Sequence, residues 1–107
     1  MKKVNVQIMT LVAALAVVLT LSLSAHAQGA DIYKSKCVAC HAPDGTGSVV
    51  GKKMGAHDFT TADVQKMSDA DLTEAITKGK NKMPAYGEKL KPEEIKALVT
   101  YIRTLKK

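Results

Sequence analysis

The run Cys37-Val38-Ala39-Cys40-His41 constrains this chain more than any other stretch of its 107 residues, and it holds the only two cysteines present. One turn of backbone brings the two thiols to one side, where they can add as thioethers across the two vinyl groups of a haem. The next residue then lies beneath the iron. This spacing is the attachment signature of a c-type haem, with the His41 imidazole as proximal ligand. A zinc site would need a second ligand pair to complete a tetrahedron, and no further cysteines exist to supply one. A thioredoxin-like dithiol would need a strand and helix around the motif, yet few alternating β-branched runs occur nearby. A structural disulfide would leave the adjacent histidine without a role.

Residues 1–27 read as a secretory signal. Lys2 and Lys3 form the charged start, Ile8 to Leu23 is an apolar run without a charge, and Ala25-His26-Ala27 is a small-x-small cleavage site. The mature chain is therefore expected to span residues 28–107, beginning at Gln28. The rival is an uncleaved anchor, but the apolar run is shorter than the roughly 20 residues a spanning helix needs. Export agrees with the haem reading, because the attachment thiols need managed oxidation outside the cytoplasm. A periplasmic or otherwise exported location follows, with no membrane attachment after cleavage, and His26 leaves with the signal.

Eighty mature residues permit one small domain. With no tryptophan and a single phenylalanine, Phe59, such a chain struggles to build an apolar centre unaided, and domains of this size usually recruit a disulfide, metal or cofactor. A buried haem would be that centre, its insertion coupled to folding. Removing Lys2 and Lys3 leaves 14 basic residues against 10 acidic. That excess is modest, and no aromatic interleaving or binding motif accompanies it, which argues against nucleic-acid binding.

The pattern predicts an all-α domain. A first helix is expected over Ala30 to about Ala39, opened by Asp31 and anchored by Tyr33. From Ala42 to Gly55, Pro43, Asp44-Gly45 and Gly47 predict an irregular loop. Ser68 caps a helix carrying Leu72 and Ile76 on one face and closed by Gly79. Phe59, Val64 and Met67 lead into it through a shorter segment. The last helix starts near Pro92 and carries Ile95, Leu98, Val99, Ile102 and Leu105 as a stripe, with Arg103, Lys106 and Lys107 at the negative end of its dipole.

The second axial ligand decides between electron transfer, gas binding and catalysis. Met83 stands out, because it lies on an extended segment between two helices and Pro84 fixes the backbone just after it. Met67 sits before a helix cap, where packing as an apolar staple is the simpler role. Met54 and His57 stay within reach of the iron, His57 being the main competitor.

With these residues in place, the mature chain resembles the class I cytochromes c over essentially all of residues 28–107. Gly29 and Tyr33, eight and four residues before Cys37, match the family's small and aromatic positions on the N-terminal helix. Leu98 and Tyr101 match their partners on the C-terminal helix, and Lys82-Met83-Pro84 with Tyr86 resembles the methionine loop. Gly45 and Gly47 resemble the glycines after the haem motif. The resemblance implies a small cytochrome c fold of three to four helices around one covalent haem c, with Cys37, Cys40, His41 and Met83 binding the cofactor and His41 and Met83 holding the iron. It also implies a close crossing of the terminal helices, permitted by the small residue. One departure concerns the family proline, about a dozen residues after the haem histidine, whose carbonyl accepts that histidine's outer N–H; here the stretch reads Val50-Gly51-Lys52-Lys53-Met54. A carbonyl from this loop or near Pro43 is expected to serve instead.

The function that follows is a soluble, monomeric, non-enzymatic one-electron carrier between larger redox proteins, docking through Lys78, Lys80 and Lys82. The alternative is a haem-based sensor or small-ligand binder with a displaceable sixth ligand. A haem peroxidase would need an acid-base pair, and beyond His57 the mature chain offers no spare histidine.

Overall fold

The structure is a computed structural model that describes residues 2–107; Met1, the first residue of the expected signal, lies outside them. Six helical segments follow one another, α1 (Lys2–Lys36), α2 (Val38–His41), α3 (Val49–Lys53), α4 (Ala62–Gln65), α5 (Asp69–Lys78) and α6 (Pro92–Arg103). The expectation of an all-α fold holds. Three segments are a single turn or little more, which is why a count of three to four fell short.

The expected first helix is corrected at both ends. Helix α1 has no break at Ala27 or Gln28 and runs unbroken from the apolar segment into the domain, so Asp31 lies deep within it and does not open it. Ala and Leu between residues 11 and 23 carry high helix propensity, and no glycine or proline in that stretch stops a helix. At the other end it stops at Lys36, and Val38–His41 forms a separate turn. The apolar side chains from Val4 to Leu23 are exposed and touch no core. By length and composition this helix could cross a membrane, a test that signal sequences also pass.

The core is Tyr33, Val64, Leu72, Ile76, Leu90, Ile95, Leu98, Val99 and Ile102, with Tyr33 and Leu98 each only 1% exposed. It forms where α1 crosses α6 and α5 packs beside α6. The crossing is close enough to exclude a side chain at Gly29. A Cβ on Gly29 would overlap the Ala97 carbonyl, and the Tyr33 and Tyr101 rings meet at 5.1 Å between centroids, so the small-residue expectation is met.

Helix α5 begins and ends as its sequence predicts. The Ser68 hydroxyl accepts from the Asp71 N–H at 3.0 Å, and Gly79 leaves the helix at φ +72°. At α6, Pro92 occupies the first turn, while the Glu94 carboxylate accepts the Lys91 N–H at 2.7 Å. Arg103 does more than balance a dipole. Its guanidinium donates to the Gln65 and Met67 carbonyls and to Asp69 Oδ1, tying the end of α6 to the α4–α5 junction.

Candidate haem site

The attachment motif sits on the one-turn helix α2, between the end of α1 and a loop that doubles back on it. Gly47 N–H bonds the His41 carbonyl at 2.9 Å, Ser48 N–H bonds the Cys40 carbonyl at 2.9 Å, and the Ser48 hydroxyl donates to the Ala39 carbonyl at 2.8 Å. Ser48 also caps α3, its oxygen accepting from Gly51 N–H at 2.9 Å. The stretch expected to be irregular therefore contains a helix. Gly51 seats that helix against the motif, because a Cβ there would overlap the Cys40 carbonyl. Sequence reading missed this role, although a lone glycine in a helix-compatible run was the signal available. Gly45 at φ +81° and Gly47 at φ +94° make the turn between.

Cys37, Cys40 and His41 line a cavity of about 630 Å³, within the usual range for cofactor sites of about 300–1,000 Å³. Phe59, Val64, Leu72, Ile76, Met83, Tyr86 and Ile102 supply its apolar wall. Burial pushes the free Cys37 thiol up to about 11, with Cys40 adding to the effect. A thiol held that high is a poor thiolate nucleophile at neutral pH. Burial lowers the pKa of His41, opposed in part by the polar backbone of nearby His57. The neutral imidazole this favours is the form that binds a metal. Its ring stacks on Phe59 at 4.2 Å, and its Nδ1 is buried with no hydrogen-bond partner. The expected acceptor near Pro43 or in Val50–Met54 therefore does not form a bond to it. A largely apolar cavity with two thiols on one wall and a neutral imidazole beside them fits a covalently held haem.

The methionine segment is preformed. Lys80 and Met83 pair across a tight turn, with N–H to carbonyl distances of 3.2 and 2.9 Å, and Asn81 takes φ +54° within it. Gly79 lets the chain fold back on itself, since a Cβ there would lie 2.6 Å from the Met83 carbonyl oxygen. Tyr86 pins the far end, its hydroxyl donating to the Lys36 carbonyl at 3.2 Å and its N–H to the Ile76 carbonyl at 2.9 Å. Met54, Met67 and His57 line the same cavity as Met83. They differ in setting. Met83 is half-buried and packs on the core, whereas Met54 and Met67 are 40% and 36% exposed and His57 is exposed. Met67 thus stands at the rim and is not the buried staple expected of it.

An all-α domain whose helices close over a cavity bearing this attachment motif defines a small c-type cytochrome. Residues 24–102 match the family described as cytochrome c oxidase, cbb3-type, subunit III, and the chain belongs to that family of c-type cytochrome domains. It is 37% identical over 79 residues to cytochrome c6 of Anabaena variabilis, covering 69% of this chain and 84% of the relative. It is 35% identical over 80 residues to the cbb3-type cytochrome c oxidase subunit FixP of Azorhizobium caulinodans, covering 73% of this chain and 26% of that subunit. The chain thus spans about a quarter of the oxidase subunit it matches. The solved KustC0563 c-type cytochrome superposes with a TM-score of 0.71 at 41% identity, covering 74% of this chain and 98% of that one. The family binds one covalent haem c through a cysteine pair, and Cys37 and Cys40 are the pair available here. The likeness supports a haem c electron carrier.

Proposed function

We propose that the chain is exported, cleaved after Ala27, and works as a soluble monomeric one-electron carrier whose haem iron is held by His41 and Met83. The observation that carries the ligand assignment is Met83's setting: alone among the methionines in the cavity wall, it packs on the core from a segment held by its own turn. Bound haem supplies a one-electron couple at its iron. His41 offers a neutral imidazole from a backbone fixed by three returning hydrogen bonds, and the Lys80–Met83 turn fixes the thioether. Both ligands therefore enter prepositioned, and little protein rearrangement accompanies a change of one charge. The apolar wall keeps water from the centre. No side chain in this reading carries a catalytic role.

Lys36, Lys78, Lys80 and Lys82 stand around the cavity mouth. Lys78 pairs with Glu74 at 2.7 Å with both side chains largely exposed, so its charge is partly spoken for. Docking to an acidic redox partner thus falls chiefly to Lys80 and Lys82. Carbon monoxide added to the reduced holoprotein tests the reading. A ligand held this way excludes the gas, whereas rapid binding would replace the carrier with the sensor reading. Intact mass of the exported protein tests the cleavage: a polypeptide beginning at Gln28 is expected, and one retaining residues 1–27 would make it an anchored cytochrome.

A further inference from the structure

Behind the haem motif lies a backbone conformation that its residue does not favour. Ala42, directly after His41, takes φ +60° and ψ +162°, a region that is essentially glycine's alone. Pro43 explains part of this, because a residue before proline is driven out of the helical region towards extended ψ. The positive φ has another cause. The chain leaves α2 and must reverse within a few residues so that Gly47 and Ser48 can return to the His41 and Cys40 carbonyls. Alanine makes that reversal against its own Cβ, so something must hold it there.

Two of the holding contacts converge on the Ala42 carbonyl oxygen. The Ala42 carbonyl accepts the Tyr33 hydroxyl at 2.7 Å and the Gly45 N–H at 3.2 Å, while the Ala42 N–H bonds the Val38 carbonyl at 2.9 Å. The same hydroxyl lies 3.4 Å from the His41 carbonyl. Tyr33 is 1% exposed, wedged between Tyr101 and Phe59, and Phe59 in turn stacks on the His41 ring. Burial, then neighbouring Cys37, Tyr101 and Asp44, holds its phenol well above the usual range, so it stays a donor. Packing of an aromatic ring at the helix crossing would be served equally by phenylalanine. The hydroxyl is the part that packing leaves unexplained.

We infer that Tyr33 is a positioning residue for the haem ligand: its hydroxyl clamps the strained Ala42 carbonyl and so fixes the backbone from which the His41 imidazole is presented. This rests on His41 being the proximal ligand. Without the hydroxyl, the Ala42 peptide relaxes towards a negative φ and turns the His41 carbonyl with it. With glycine at 42 the same backbone carries no strain, and the clamp becomes dispensable.

The test uses exported holoprotein in four forms: unmutated, Tyr33→Phe, Ala42→Gly and the double variant. The His41 ring signals are followed by NMR in both oxidation states. Whether iron shifts them in the unmutated protein tests the ligand reading; whether they move between variants tests the clamp. Tyr33→Phe is expected to displace the His41 signals, Ala42→Gly to leave them in place, and the double variant to match Ala42→Gly alone. Ala42→Gly is also expected to raise the thermal midpoint. Unmoved signals in Tyr33→Phe, a double variant displaced as far as Tyr33→Phe, or a lowered midpoint in Ala42→Gly would each overturn the proposal. Should Tyr33→Phe fail to fold, recovery in the double variant supports the clamp and its absence refutes it.

Discussion

Gly51→Ala offers a quantitative test of how the haem motif is supported. In an isolated helix the change should stabilise, because alanine is favoured over glycine by about 1 kcal/mol. Here the added Cβ would overlap the Cys40 carbonyl oxygen and lie 2.6 Å from its carbon and 2.9 Å from its Cα. All three are backbone atoms, so no rotamer change relieves the overlap. Helix α3 must instead move off α2, at an overpacking cost of about 1–3 kcal/mol. That movement also stretches the Ser48 bonds to the Ala39 and Cys40 carbonyls, each worth about 0.5–1.5 kcal/mol. The gain and the losses sum to a net destabilisation of about 3 kcal/mol at their central values. For a domain of this size that is about 12–24 °C in thermal midpoint, at roughly 4–8 °C per kcal/mol. Melting of the holoprotein followed by circular dichroism reads it directly. The loss should grow from alanine to valine at this position. A midpoint equal to or above that of the unmutated protein would refute the close seating of α3 on the motif.

Leu98→Ala removes a side chain that is 1% exposed at the helix crossing and should cost about 2–5 kcal/mol in denaturant unfolding; a loss under 1 kcal/mol would contradict the core described. Asp58 accepts the Thr60 hydroxyl at 2.7 Å and its N–H at 2.8 Å, which hold its carboxyl below the ordinary 3.8. A depressed folded pKa contributes stability above pH 3.8 that is lost as pH falls through the lower folded value, so Thr60→Val should flatten the acid limb of midpoint against pH. An unchanged acid limb would remove that contribution. Reduction by an acidic partner protein should slow as salt rises, and Lys80→Gln with Lys82→Gln should slow it further at low salt than Lys78→Gln does. Equal effects from all three would show that the Glu74 pairing does not matter to docking.

The parts of the fold legible in the sequence are those that local chemistry determines. Ser68 and Gly79 bound α5, Pro92 opens α6, and the stripe from Ile95 to Ile102 faces the core, because caps and periodicity act over a few residues. Tyr33 was legible as an apolar anchor of its helix, but its pairing with Tyr101 and the role of Gly29 only through resemblance, since a helix crossing is a long-range contact that no local pattern encodes. Helix α3 escaped notice because Pro43, Gly45 and Gly47 dominate the reading of their neighbourhood, while Ser48 and Gly51 act through the backbone of the motif they touch. The end of α1 was misplaced for a related reason: Val38 to His41 continues the helical composition, yet the turn is separate. In the site, cysteine spacing and the histidine beside it carried the cofactor assignment outright. Which donor lies opposite His41 could not come from residue type, because Met54, Met67, Met83 and His57 all reach the same cavity. Sequence context favours Met83 through its extended segment and Pro84; burial and a self-paired turn, both products of packing, add what residue order does not show. Ala42 is the least legible feature, as nothing in its identity announces a positive φ.

The central claim is that His41 and Met83 hold the iron of a haem fixed by Cys37 and Cys40. The most direct measurement is the absorption spectrum of the ferric holoprotein, where the resemblance to class I cytochromes c implies a weak red charge-transfer band from sulfur ligation. That band should be present in the unmutated protein, survive in Met54→Ala, Met67→Ala and His57→Ala, and disappear in Met83→Ala. A band that persists in Met83→Ala, or is lost in one of the other three, would contradict the assignment.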